Sequence, residues 1–144
     1  MGSREEAKAT YADVMGKAYN GGETPLESAG VLDFVFASVW NRPGLSRRHR
    51  RLIALTCCGA ADTVGPIEAN VYAALKSGDL NVDELLEFVL HFAVYCGWPK
   101  ASFMNQVVME QYHKVCAENG ETPRTNDLVP IFKEGVPLQQ RIDE

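Results

Sequence analysis

The run Asn81-Val82-Asp83-Glu84-Leu85-Leu86-Glu87-Phe88-Val89-Leu90-His91-Phe92-Ala93-Val94-Tyr95-Cys96-Gly97 decides the fold. Asn81 with Glu84 three residues later is a capping box, in which each side chain bonds the other residue's backbone N–H at a helix start. From Leu85 to Cys96 only Glu87 and His91 interrupt the apolar character, and Gly97 stands where a helix ends. A helix this apolar needs cover on every side, which places it at the centre of a helical bundle. Neighbours from one small chain barely supply that cover, so the segment also predicts a homo-oligomer.

The segments on either side carry the same kind of punctuation. Pro66 in a first turn and Gly78 just past an end bracket a helix with Ile67, Val71, Ala74 and Leu75 on one side. Ser46 is an N-cap for a helix from Arg47 to about Gly59; its first turns are basic, and Leu52 to Cys58 reads as apolar all round, so it is expected to enter the core. Before it, a helix from near Pro25 carries Val31, Leu32, Val35, Phe36, Val39 and Trp40 and stops at Arg42-Pro43-Gly44. Ala7, Tyr11, Val14, Met15, Ala18 and Tyr19 form an N-terminal amphipathic helix that Asn20-Gly21-Gly22 should stop.

On the C-terminal side Pro99 opens a helix with a stripe of Phe103 or Met104, Val107, Val108, Tyr112 and Val115, closed by Asn119-Gly120. Beyond Glu121 the spacing of Pro123, Pro130 and Pro137 is too close for a helix, and the segment reads as an extended arm in which Leu128, Ile131 and Phe132 are able to dock. The expectation is an all-α, single-domain bundle of about six helices. Residues 1–22 form the N-terminal helix, 23–120 the helical domain and 121–144 the arm. No internal repeat and no strand pattern is visible.

The composition excludes several function classes. With 144 residues and 46% hydrophobic content the chain can bury a core without staples. A net charge of −5, from 14 Lys+Arg against 19 Asp+Glu, gives no general attraction to nucleic acid or to an anionic membrane. No stretch reaches the roughly 18 apolar residues of a membrane span, and the charged N-terminus does not read as a signal peptide, so a cytoplasmic protein is expected. Cys57, Cys58, Cys96 and Cys116 lie in apolar or helical stretches without Cys-x-x-Cys spacing and read as reduced core thiols. Adjacent helical residues point in different directions, which argues against a vicinal disulfide between Cys57 and Cys58. No cluster has trustworthy metal-ligand spacing; neither metal nor cofactor is expected.

The block Val39-Trp40-Asn41-Arg42-Pro43-Gly44-Leu45-Ser46-Arg47-Arg48, followed by Arg51-Leu52-Ile53-Ala54-Leu55, resembles carboxymuconolactone decarboxylase-like proteins. Tyr72-Ala73-Ala74-Leu75-Lys76-Ser77-Gly78 and the run from Val82 to Pro99 resemble the same family, so the likeness spans about residues 30 to 115. It implies an all-α fold of the alkylhydroperoxidase D-like type, assembled as trimers or hexamers with sites in clefts between helices near subunit contacts. The thiol peroxidases of that superfamily carry Cys-x-x-Cys-x-x-x-His, which the register of Gly78 places at Thr63, Pro66 and Asn70. Without a thiolate, a resolving thiol and a base, that peroxidase cycle is excluded here. Decarboxylase members keep the histidine at the position of Asn70 and usually a glutamate where this chain has Arg51, so the resemblance implies the fold more firmly than the lactone chemistry.

Decarboxylation calls for an electron sink, a cationic clamp for a carboxylate and an acid to reprotonate carbon. Glu68, at the carboxylate position the resemblance marks before the histidine, and His91 are the candidates for proton transfer. His91 has Glu87 one turn before and Tyr95 one turn after; a buried imidazole needs such partners. Either of these two side chains also has a purely structural reading, Glu68 as a solvated helix carboxylate and His91 as a satisfied core histidine. Arg48 and Arg51 are the candidates for holding an anion, from a basic run, Arg47-Arg48-His49-Arg50-Arg51, that cannot face one cleft as a whole. Asn70, Tyr72, Tyr95 and Trp98 complete the expected substrate-binding set, and Trp40 and Phe103 are further aromatic walls that core packing explains equally well. The first reading is a cofactor-free lyase or isomerase acting on a small carboxylate or lactone. A non-catalytic oligomeric binding or scaffold protein is the second, and thiol chemistry through Cys57 and Cys58 the last.

Overall fold

The computed structural model describes residues 3–124, and within them the chain is six helices with no strand. They are α1 (Arg4–Met15), α2 (Leu26–Val39), α3 (Arg47–Ala60), α4 (Val64–Ser77), α5 (Val82–Cys96) and α6 (Trp98–Asn119). The arm beyond Arg124 lies outside the described residues. Helix starts follow their caps: Ser46 Oγ accepts the His49 N–H, and Asn81 and Glu84 form the reciprocal capping box, with both bonds at 2.9 Å. Gly78 and Gly120, both left-handed, end α4 and α6 where expected.

The bundle centres on α4, α5 and α6. Leu55 of α3, Ile67 and Val71 of α4, Leu85, Val89 and Phe92 of α5, and Met104, Val107 and Val108 of α6 form one continuous core, closed below α4 by Leu80. Each fully buried side chain of this size contributes about 1.5–3 kcal/mol relative to exposure. A smaller cluster joins α1, α2 and α4 through Val14, Met15, Phe36 and Ala73, with Tyr11 edge-on to both Phe36 and Tyr19. Arg4 of α1 ties to Asp33 of α2 at 2.8 Å.

Four local expectations differ from the structure. Helix α1 stops at Met15, because left-handed Gly16 (φ 69°) turns the chain before Ala18 and Tyr19, and Tyr19 donates to the Glu27 carbonyl instead. Helix α2 is wound with i→i+5 bonding, shown where the Trp40 N–H meets the Val35 carbonyl at 3.0 Å, and it buries Leu32 and Phe36. Helix α3 buries only the stripe Arg51, Leu55 and Gly59; Ile53 and Cys57 face outward, so Cys57 is not a core thiol, and all four cysteines are free. Helix α5 buries one face, Val82, Leu85, Val89, Phe92 and Ala93, and leaves Leu90, Val94 and Tyr95 exposed. One turn of 3.6 residues carries His91 out on that second face, where the described residues supply no cover.

Candidate active site

The residues singled out by sequence separate into three places. Buried Arg51 meets half-buried Asn70. Arg51 is 0% exposed, and its guanidinium donates to Asp79 Oδ2 from Nε (3.2 Å) and a terminal nitrogen (3.1 Å), to Asn70 Oδ1 (2.9 Å) and to the Val14 carbonyl at the end of α1. Its guanidinium carbon also lies 5.0 Å from the centre of the Trp40 ring, a cation–π contact. Burial pulls the Arg51 pKa down, and Asp79 opposes that shift. Asp79 in turn takes Arg47 Nε at 2.9 Å, and Arg47 reaches Asp13 of α1. Asn70 spends its amide on the Pro66 carbonyl at 2.9 Å. The two positions that the resemblance marks as departures from the decarboxylase members, Arg51 and Asn70, are therefore bonded to one another, and the donors of Arg51 are occupied by protein.

Glu68 and Tyr72 meet on another side of α4. Residues two apart on a helix point roughly 200° from each other, so Glu68 and Asn70 cannot share a cleft. A cleft of about 240 Å³ between the end of α1, α4 and α6 is lined by Lys17, Gly65, Glu68, Ala69, Tyr72, Gln111 and Lys114. Tyr72 donates its hydroxyl to Glu118 at 2.9 Å, and Lys76 donates to the same oxygen at 2.9 Å. Burial, then the bond to Glu118, raises the Tyr72 pKa, so this hydroxyl stays protonated; the Lys76 bond, then that of Tyr72, holds Glu118 below the usual carboxylate range. The Lys114 ammonium sits 4.8 Å from the Tyr72 ring centre.

His91, Tyr95 and Trp98 gather on the outer face of α5 and the start of α6. His91 is exposed with its ring 5.1 Å from that of Tyr95, and Tyr95 and Trp98 are 77% and 66% exposed. Trp98 flanks a groove of about 300 Å³ walled by Leu86, Val89, Leu90, Ala93 and Ala101. None of these residues lines the Glu68 cleft. Arg48 lies elsewhere again, on the surface, paired with Glu84 at 2.7 Å. The sequence reading missed Lys17, Gln111 and Lys114; only the i, i+3 spacing of Gln111 and Lys114 hints that they share a face.

Six helices around a core of α4, α5 and α6, with clefts between them, define an all-α domain of the alkylhydroperoxidase D-like type. The model of the carboxymuconolactone decarboxylase family matches residues 25–110, and the chain belongs to that family. It is similar to nitrosuccinic acid decarboxylase of Metarhizium robertsii, 32% identical over 102 residues that cover 66% of this chain and 71% of that protein. It is also similar to 4-carboxymuconolactone decarboxylase of Acinetobacter baylyi, 32% identical over 69 residues, 48% of this chain and 51% of that one, so it spans about half of that relative's length. No solved structure matches the chain.

Proposed function

We propose that the protein is a cofactor-free decarboxylase of a small organic acid and that its chemistry takes place in the cleft that holds Glu68 and Tyr72. The observation that carries this reading is the cleft itself: a carboxylate able to move a proton stands within it together with ammonium groups, on a chain similar to two proteins that are both named as decarboxylases. In such a reaction the bond to the carboxylate carbon breaks, and its electron pair moves into a neighbouring sink, a lactone carbonyl or a nitro group. The carbon is then reprotonated when the pair returns. Glu68 is the proton-transfer group and Tyr72 a neutral wall that donates to Glu118. Purified protein supplied with nitrosuccinate or with 4-carboxymuconolactone should release CO2, and Glu68→Gln should not; release at the same rate from both proteins would overturn the assignment.

A second reading, binding without turnover, is favoured by one observation. Asn70 stands where the resemblance places a histidine, and it is tied to Arg51 and Pro66. Saturable binding of either acid with no CO2 release would select it.

We also propose that a second copy of the chain covers the outer face of α5, within a trimer or hexamer. The groove beside Trp98 has no charged side chain in its walls, and the exposed Leu90, Val94, Tyr95 and Trp98 continue it over successive turns. His91 would then lie at a subunit contact. Light scattering should report an oligomer for the native chain and a smaller species for Val94→Lys; an unchanged mass would sink this proposal.

A further inference from the structure

The described residues contain five lysines, and their pairing is uneven. Lys8 is paired with Glu5 at 3.2 Å, Lys76 with Glu118 at 2.9 Å and Lys100 with Asp62 at 2.9 Å. Lys17 and Lys114 make no ion pair among the described residues, and both line the Glu68 cleft. They come from segments far apart in sequence, the turn after α1 and the last turns of α6, so the fold has brought two cations without an ion pair among the described residues to one opening.

Local geometry explains why neither forms an ion pair among the described residues. Glu118 is one turn beyond Lys114 on α6 and is the natural partner for it, but Tyr72 and Lys76 hold that carboxylate through one oxygen, and Lys114 adds only a longer-range attraction, the smallest of the causes that lower its pKa. Lys114 is left over the Tyr72 ring. Lys17 follows Gly16, whose left-handed backbone lies directly on α4; a Cβ added there would stand 2.9 Å from Lys76 Cγ and 3.5 Å from Tyr72 Cε1. The close approach that only glycine permits is what brings Lys17 to the rim of the cleft. Glu68 supplies one negative charge against two positive ones, and Gln111 is neutral. The volume, about 240 Å³, lies below the roughly 300–1,000 Å³ of drug-sized sites and suits a skeleton of a few carbons.

We infer that Lys17 and Lys114 form a two-point clamp for a small acid that carries two anionic groups, which makes the turn that follows the N-terminal helix part of the binding site. The inference rests on the reading of this cleft as the ligand site, and it concerns binding, so it can be separated from turnover. One lysine holds the group that stays on the product, and the other holds the second anion against the wall formed by Tyr72.

The test compares succinate with succinamate, its half-amide, which has nearly the same size and one charge fewer, by titration calorimetry at neutral pH and low salt. Native protein should bind succinate about tenfold more tightly than succinamate, the worth of one charge-assisted contact. Lys17→Met and Lys114→Met, which keep an apolar stem of similar length, should each lose that preference, while Lys8→Met, on the helix that precedes Lys17, should keep it. Equal binding of the two probes, no binding of succinate, or a preference that survives in both cleft variants would overturn the clamp. If succinate binds as expected but no CO2 is released from nitrosuccinate or 4-carboxymuconolactone, the clamp stands and the decarboxylase reading falls. If CO2 is released while the charge preference is absent, the reverse holds.

Discussion

Helix α4 has one side that is closed and one that is open, and the two differ in how fully their polar groups are satisfied. On the closed side Asn70 meets Arg51, and Arg51 distributes its donors among Asp79, Asn70 and the Val14 carbonyl beneath the Trp40 ring. On the open side Glu68 and Tyr72 face a cleft in which two ammonium groups have no carboxylate partner among the described residues. A buried cation already saturated by protein has no capacity left for a ligand, because taking one would strand its present partners. An unpaired cation at a cleft takes one without giving up an ion pair, at the cost of part of its hydration. The comparison explains why Arg51, conspicuous in the sequence, has a structural role here, while the unremarkable Lys17 and Lys114 are able to bind an anion.

The comparison breaks most visibly at Asp79, whose side chain is 9% exposed and serves both Arg47 and Arg51. Replacing it with Ala should cost about 3–5 kcal/mol in urea denaturation, the penalty for stranding a buried charge. A loss under about 1 kcal/mol would mean that the arginines find water and that the closed side is open after all. Next in size is Glu68→Gln, which should lower turnover by about 100-fold or more. Its stability should stay within about 0.5 kcal/mol, as expected for an exposed residue. Asn70→Ala should do the opposite, costing about 1–2 kcal/mol through the lost bond to Arg51 while leaving turnover within a factor of about two. Turnover that falls with Asn70 and not with Glu68 would move the chemistry to the closed side.

The smallest effect concerns acid. The Glu118 carboxyl is depressed by its bonds to Lys76 and Tyr72, so its contribution to stability is present above the unfolded carboxylate value and is lost as pH falls through the folded one. Thermal melts of the native chain and Glu118→Gln should differ at neutral pH and converge in acid. A gap that persists unchanged at low pH would show that packing rather than charge holds Tyr72 in place.

Much of this architecture was legible locally. The capping box at Asn81 and Glu84, the N-cap at Ser46, and the stops at Gly78, Gly97 and Gly120 all act within one turn, so residue type and spacing were enough to place α3, α4, α5 and α6. The end of α1 was misplaced because apolar periodicity continues through Ala18 and Tyr19, while the left-handed turn at Gly16 is fixed by its packing on Tyr72 and Lys76. The site was less legible. Glu68 and Tyr72 share a face by their spacing of four, but nothing local says that Arg51 is closed off by Asp79, or that His91 lies outside the cleft.

The sequence by itself determined the helices, the ends of α3 to α6 and the family likeness, since each of these depends on residue identity over a few positions. Only the tertiary structure decided which charges are spent and which are available. Pairing is a contest among side chains tens of positions apart: Arg51 with Asp79, Lys76 with Glu118, and Lys17 and Lys114 in one cleft with no ion pair among the described residues. Its outcome depends on distance and burial, which exist only after the chain has folded.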